Sequence, residues 1–182
     1  LKLSRGLGDV YKRQVYAGAT FCAAVQNNDM VAAYANDNWS QPDLQPARED
    51  LELTLDNVTV ETFVQNLQEN ITTDSLDFDI QVLNGDSSGL GKKDFKHDVN
   101  IIFYDGDNSE QKMREFFLNM LDFTENVFTL VVDDANIQEN VAITKRFIDA
   151  MGLKILYERE LLNDLEDVNM WWNGLYVVVL SK

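Results

Sequence analysis

Val99-Asn100-Ile101-Ile102-Phe103-Tyr104-Asp105-Gly106-Asp107 is the stretch whose reading decides the fold. An apolar run of strand length stops at an acid-glycine-acid turn, and the period of the pattern then changes. Met113, Phe116, Phe117, Met120 and Leu121 recur at helical spacing. Asp107 or Asn108 is placed to cap that helix, with Glu110 or Gln111 three residues on. Val127-Phe128-Thr129-Leu130-Val131-Val132 follows as a strand of the fully buried kind and ends at Asp133-Asp134. A helix from about Ile137 is expected to turn Val141, Ile148 and Met151 inward, with Gly152 as its stop. Strand and helix alternating in this way predict a parallel α/β sheet.

The same rhythm extends outward. Upstream lie a small-residue helix over about Ala19–Asn27, a strand over Met30–Ala35 and a polar loop marked by Pro42 and Pro46. Phe63, Val64 and Leu67 have helical spacing, and a third strand runs from near Phe78 to Leu83. Downstream, Leu153–Tyr157 and Leu175–Leu180 are the last two strands, with Trp171-Trp172-Asn173-Gly174 in the turn before the final one. No internal repeat or linker divides the chain, so residues 15–182 read as one domain.

Bulk properties narrow the function. A formal charge of -16 over 182 residues repels phosphate backbones and disfavours nucleic acid as a partner. The single cysteine, Cys22, rules out an intrachain disulfide and reads as core packing. There is no apolar run of about 18 residues and no signal-peptide pattern, so the expectation is a cytoplasmic chain without a membrane partner. Nothing in the sequence supports a particular oligomer. His97 precedes the fourth strand at the end away from the expected crevice, and the Lys92, Lys93 and Lys96 cluster reads as a solvated loop.

The first fourteen residues stand apart. Ser4 to Gln14 resembles the translation of a sequencing-library adapter found in assembled metagenomic DNA, and the segment carries Lys2, Arg5, Lys12 and Arg13 in an otherwise acidic chain. Residues 1–14 are therefore read as non-native, which leaves the first strand of the sheet truncated or replaced. Two outcomes are open: residues around Gly8 to Tyr16 serve as a makeshift central strand, or the sheet has a gap there.

In open α/β sheets, ligands bind in the crevice beyond the carboxyl ends of the strands. Asp37, Asp86, Asp105, Asp107, Asp133 and Asp134 all lie just past apolar runs. Asp37 is placed to meet the ribose hydroxyls of an adenosine cofactor, or else it is a turn former in Asn36-Asp37-Asn38. Asp86 could face an adenine amino group, against the alternative of an Asx turn into Ser87-Ser88-Gly89. Neighbouring parallel strands lie about 4.8 Å apart, so Asp105, Asp133 and Asp134 would crowd together. Either a hard cation such as Mg²⁺ offsets their repulsion, or Asp134 faces solvent while Asp133 caps the next helix.

Taken together, Tyr16-Ala17-Gly18-Ala19-Thr20, Ala35-Asn36-Asp37-Asn38-Trp39-Ser40, Tyr104-Asp105-Gly106-Asp107-Asn108-Ser109, Leu130-Val131-Val132-Asp133-Asp134 and Trp171-Trp172-Asn173-Gly174-Leu175 resemble a bacterial and phage family of class I S-adenosylmethionine-dependent methyltransferases. The resemblance implies a doubly wound, Rossmann-like, mostly parallel sheet with an antiparallel last strand and helices on both faces. It implies methyl transfer from S-adenosylmethionine to a small-molecule or sugar hydroxyl. On the matched positions, Tyr16, Ala17, Gly18, Thr20, Asp37, Asn38, Trp39, Asp86, Ser87 and Asp105 would hold the cofactor, and Asp105 and Asp107 would serve the chemistry. Related sugar O-methyltransferases imply Mg²⁺ at Asp105, Asp133 and Asp134. The family's loop, Glu-x-Gly-x-x-x-Gly-x-Thr, is matched only in its second half: Lys12 and Gln14 stand at its Glu and first Gly, and Asn108 stands where relatives commonly carry His. Those departures keep open a non-catalytic adenosine-binding or interaction domain on the same fold. A nicotinamide-linked oxidoreductase is disfavoured, because no G-x-G-x-x-G is present.

Overall fold

A computed structural model of the chain describes residues 10–13, 18–26, 30–39, 59–71, 78–163 and 173–182. In chain order its elements are β1 (Val10–Arg13), α1 (Ala19–Val25), β2 (Ala32–Asp37), α2 (Val60–Asn70), β3 (Asp79–Asn84), β4 (Val99–Tyr104), α3 (Glu110–Met120), β5 (Thr124–Asp133), α4 (Gln138–Ala150), β6 (Lys154–Leu161) and β7 (Leu175–Ser181). One seven-stranded sheet runs in the order β3-β2-β1-β4-β5-β7-β6. β7 is antiparallel to both its neighbours, and every other pairing is parallel.

Strand pleating sorts the apolar residues onto two faces. Ala33 and Ala35 of β2 join Phe21, Val25, Phe63 and Leu67 of α1 and α2, with Ile101 of β4 packed against them. Ala32 and Tyr34 of β2, and Ile102 and Tyr104 of β4, belong instead to the core under α3 and α4. In that second core Met113, Phe116, Phe117 and Met120 meet Leu130, Val132, Tyr176, Val178 and Leu180. Four residues of the stripe read from its spacing are buried on α3, and the fifth, Leu121, caps the helix and packs partly buried against the same core.

Several details differ from the sequence reading. Of the two outcomes left open for the sheet's centre, the first is found: Val10–Arg13 form β1, in register with Ala33–Asn36 on one side and Ile101–Tyr104 on the other. Ser109, not Asp107 or Asn108, is the N-cap of α3, and the Asp107 carboxylate accepts from the Ser109 backbone N–H at 2.8 Å. Val141 and Ile148 are buried as expected, but Met151 lies past the end of α4 and is 40% exposed. Gly152 does terminate that helix, at φ 65°. β6 extends to Leu161, and Glu158, Arg159 and Glu160, charged and exposed, suit the last strand of the sheet order. Tyr16, Ala17, Ser40, Trp171, Trp172 and the loop with Pro42 and Pro46 lie outside the described residues.

Among the described residues no helix is long and apolar enough to cross a membrane. At the end of the sheet away from the strand termini, His97 donates its backbone N–H to the Tyr34 hydroxyl, while Lys92 and Lys96 pair with Asp98 and Asp79. Cys22 is half-buried, and burial raises its thiol pKa.

Candidate functional site

The register carries the acids to one level of the sheet. Arg13 of β1 pairs with Asn36 on β2 and with Tyr104 on β4, so Asp37 and Asp105 each stand one residue beyond a partner of Arg13. Tyr104 pairs with Val132, which sets Asp133 level with Asp105, and Asp37 itself pairs with Asn84 of β3. Asp37 and Asp105 therefore flank the carboxyl end of β1, two strand spacings apart, or roughly 10 Å. That position is the switch point, where the chain winds to β2 and β3 on one side and to β4 and β5 on the other.

On the β2–β3 side the geometry is tight. One oxygen of Asp37 accepts the backbone N–H of Trp39 at 3.0 Å, which holds Trp39 at φ 42°. Asn38 between them is exposed. The Asn36 amide is buried and donates to the carbonyls of Leu83 and Gly85, so the ends of β2 and β3 are locked together. Gly18 precedes α1 at φ 97°, and a Cβ there would come within 2.8 Å of the Phe63 ring. Only glycine fits that turn. Thr20 in the first turn of α1 is exposed.

Asp86 does start a turn, with one oxygen accepting the Ser88 backbone N–H at 2.8 Å and the other 3.3 Å from the Lys112 ammonium. The Ser88 hydrogen bonds, backbone then side chain, together with Lys112, bring its carboxyl down to about 2. Ser87 is 3% exposed, and its hydroxyl makes no hydrogen bond among the described residues. A buried hydroxyl without a partner is costly. Asn119 of α3 donates to the Ser88 carbonyl at 2.7 Å and pins the loop.

On the β4–β5 side the three acids do not converge as a cation site. Asp134 stands at φ 58°, and its two oxygens accept from the side-chain amides of Asn173 at 2.9 Å and Asn108 at 2.8 Å. Its carbonyl accepts from Asn140 at 3.3 Å, and one oxygen of Asp133 accepts the Asp134 backbone N–H at 2.9 Å. Neutral donors thus offset the carboxylate that a metal was expected to offset. Among the described residues no group of three potential ligands gathers for a metal ion. Asp105 is half-buried at the end of β4. The Tyr104 hydroxyl donates to the Asp107 carbonyl at 2.6 Å and fixes the turn between Asp105 and Asp107.

The sequence reading missed this amide clamp. Asn108 and Asn173 lie 26 and 39 residues from Asp134, and no spacing rule joins them. Phe63 was read only as part of a helix stripe, although it touches both Gly18 and Trp39.

No family model matches the chain, and no curated protein matches it. Its structure, however, is similar to many solved ones. One is M. capricolum TrmK in complex with S-adenosyl-homocysteine, at 13% identity and TM-score 0.59, over 100% of this chain and 65% of that one. Another is precorrin-6y C5,15-methyltransferase from Geobacter metallireducens, at 10% identity and TM-score 0.58, over 100% of this chain and 84% of that one. A third is an rRNA methylase from Streptococcus thermophilus, at 13% identity and TM-score 0.54, over 97% of this chain and 87% of that one. The chain has the Rossmann-like fold of the S-adenosylmethionine-dependent methyltransferases.

Proposed function

We propose that the protein is a methyltransferase that moves a methyl group from S-adenosylmethionine to the hydroxyl of a small acceptor. The observation that carries this reading is the level pair Asp37 and Asp105, one on each side of the central strand's carboxyl end. Of these similar structures one is named for rRNA and one for a precorrin. A charge of -16 on this chain, with acids ringing the crevice, favours the small acceptor over a polyphosphate.

In this reading the Asp37 carboxylate accepts hydrogen bonds from the ribose hydroxyls, and the Gly18 turn lets the backbone approach the amino-acid end. The Ser87 hydroxyl and the Asp86 turn border the adenine. The bound donor supplies an electrophilic methyl group on a sulfonium. Asp105 would hold the acceptor oxygen in line and take its proton as the methyl leaves the sulfonium, with S-adenosylhomocysteine as the leaving group, and the amide clamp on Asp134 keeps the neighbouring wall rigid. Asp107, engaged at the entry to α3, shapes the turn that presents Asp105. No step of this reading is routed through Mg²⁺. The chain works in the cytoplasm in this reading.

Transfer of a tritiated methyl group to a panel of sugars, other small hydroxyl compounds and RNA tests the proposal. Label is expected in a small acceptor, with Asp105→Asn slowing turnover about 100-fold. Label in RNA alone would overturn the acceptor class. Cofactor binding with transfer to none would favour a non-catalytic binding domain.

A further inference from the structure

Phe63 lies on α2, a helix that contributes no residue to the row of strand-end acids. Its ring is 0% exposed and makes three contacts that bear on the crevice. The ring edge faces Gly18 so closely that a Cβ there would stand 2.8 Å from Cδ2 and 2.9 Å from Cε2. The indole of Trp39 tilts against the same ring, with centroids 5.8 Å apart and planes at 43°. Phe21 of α1, three residues after Gly18, meets it edge-on at 5.7 Å.

Two left-handed backbone positions therefore share one support. Gly18 at φ 97° opens α1, and Trp39 at φ 42° follows Asp37. Trp39 is also tied to Asp37 by its N–H, so a shift of the indole is passed to the carboxylate beside it. For a bulky residue such as Trp, a positive φ is strained and persists only where packing and hydrogen bonds over-determine it. Phe63 supplies that packing.

We infer that Phe63 is a cofactor-positioning residue, one buried ring that sets the Gly18 turn and the stance of Trp39 and Asp37 together. This rests on the S-adenosylmethionine reading of the crevice. The amino-acid end and the adenosine end of the donor are then registered to each other through a single side chain, and neither half-site is adjusted independently. Phe63 touches no reacting atom; it acts through Gly18, Trp39 and Asp37.

Calorimetry with S-adenosylhomocysteine on the whole chain, in a Trp171→Phe/Trp172→Phe background that leaves Trp39 as the only indole, tests the inference. Phe63→Leu is compared with Phe123→Leu, an equally buried ring outside the α1–α2 core. Phe63→Leu should weaken binding roughly threefold to tenfold, the worth of an aromatic contact, and shift the Trp39 emission. Phe123→Leu should lower the melting temperature while leaving affinity and emission as they were.

Equal affinity in Phe63→Leu and the parent would overturn the inference while the donor reading stands. No binding by the parent itself would overturn the donor reading, and the inference with it. Should Phe63→Leu fail to fold, Gly18→Ala probes the contact from the other side. It must shift the Trp39 emission without ligand, and an unchanged spectrum would contradict the inference.

Discussion

The two faces of the sheet are built differently. Under α3 and α4 the core is continuous and aromatic: Tyr104 packs on Phe116 and Phe117, Phe117 on Phe147, and all lie beneath Leu130, Val132 and Val178. Under α1 and α2, among the described residues, Ala33 and Ala35 are the buried strand residues, with Ile80, Val82 and Ile101 partly buried beside them, and the helices bury Phe21 and Val25, Phe63 and Leu67. Small strand residues let the helices approach closely, but each large side chain then carries a bigger share of the packing. The acceptor side of the crevice thus rests on a redundant core, whereas the donor side depends on a few rings. Low-stability elements are where binding sites open and close.

The largest expected effect breaks this contrast if it fails. Phe63→Ala and Phe117→Ala each remove a fully buried ring and should each cost about 3–5 kcal/mol. Their patterns should differ. Phe63→Ala is expected to raise hydrogen exchange across α1, α2 and the end of β2, and to leave β5 and β7 protected. Uniform loss of protection in both variants would show one cooperative core in place of two unequal ones.

Next come two glycines with the same backbone sign. Gly174 at φ 74° has Asn136 Oδ1 at 2.5 Å and the Leu161 carbonyl at 2.9 Å from a built Cβ, whereas Gly152 at φ 65° has nothing within 4 Å. Gly152→Ala should cost about 1–2 kcal/mol, the left-handed penalty alone. Gly174→Ala should cost about 1–2 kcal/mol more, because the turn before β7 must also move. Denaturant midpoints read both.

Much of this was legible in the sequence, and the exceptions have physical causes. The β4–α3–β5–α4 run declared itself because long apolar strands and a clean helical stripe coincide with the redundant core. The strand-end acids were legible for the same reason: a carboxylate after an apolar run marks where the strand stops. β1 was left open because residues 1–14 resemble an adapter translation, and the register with β2 and β4 places Val10–Arg13 there. β6 was read only to Tyr157, where the apolar run ends, and Glu158 and Glu160 beyond it pair with Lys145 of α4. The amide clamp on Asp134 and the double contact of Phe63 were invisible, since both join residues through space with no local period.

The clamp yields a smaller effect. Asn108→Ala removes one of the two amide donors to Asp134 and should cost about 1–3 kcal/mol, the penalty of an under-satisfied, half-buried carboxylate. Asp134→Asn, which sets an NH2 against one of the two amide donors, should cost a similar amount, and a parent-like melting temperature in both variants would show that the clamp contributes nothing to stability.

The smallest effect concerns Asp86. Its carboxyl is held at about 2 against an ordinary 3.8 by the Ser88 hydrogen bonds and Lys112. A depressed folded-state pKa contributes stability that is complete above about pH 4 and lost as the pH falls toward 2. The side chain is 51% exposed, so screening keeps the contribution under about 1 kcal/mol. Asp86→Asn should flatten the stability curve in that window, lowering stability by under about 1 kcal/mol at neutral pH and matching the parent once the pH has fallen to about 2.

The central claim is that the donor is held where β2 ends, beside the central strand. Calorimetric titration of S-adenosylhomocysteine into the parent, Asp37→Ala and Asp134→Ala tests it most directly. The account predicts binding by the parent, loss of binding in Asp37→Ala and near-parent affinity in Asp134→Ala. Parent-like affinity in Asp37→Ala would contradict it.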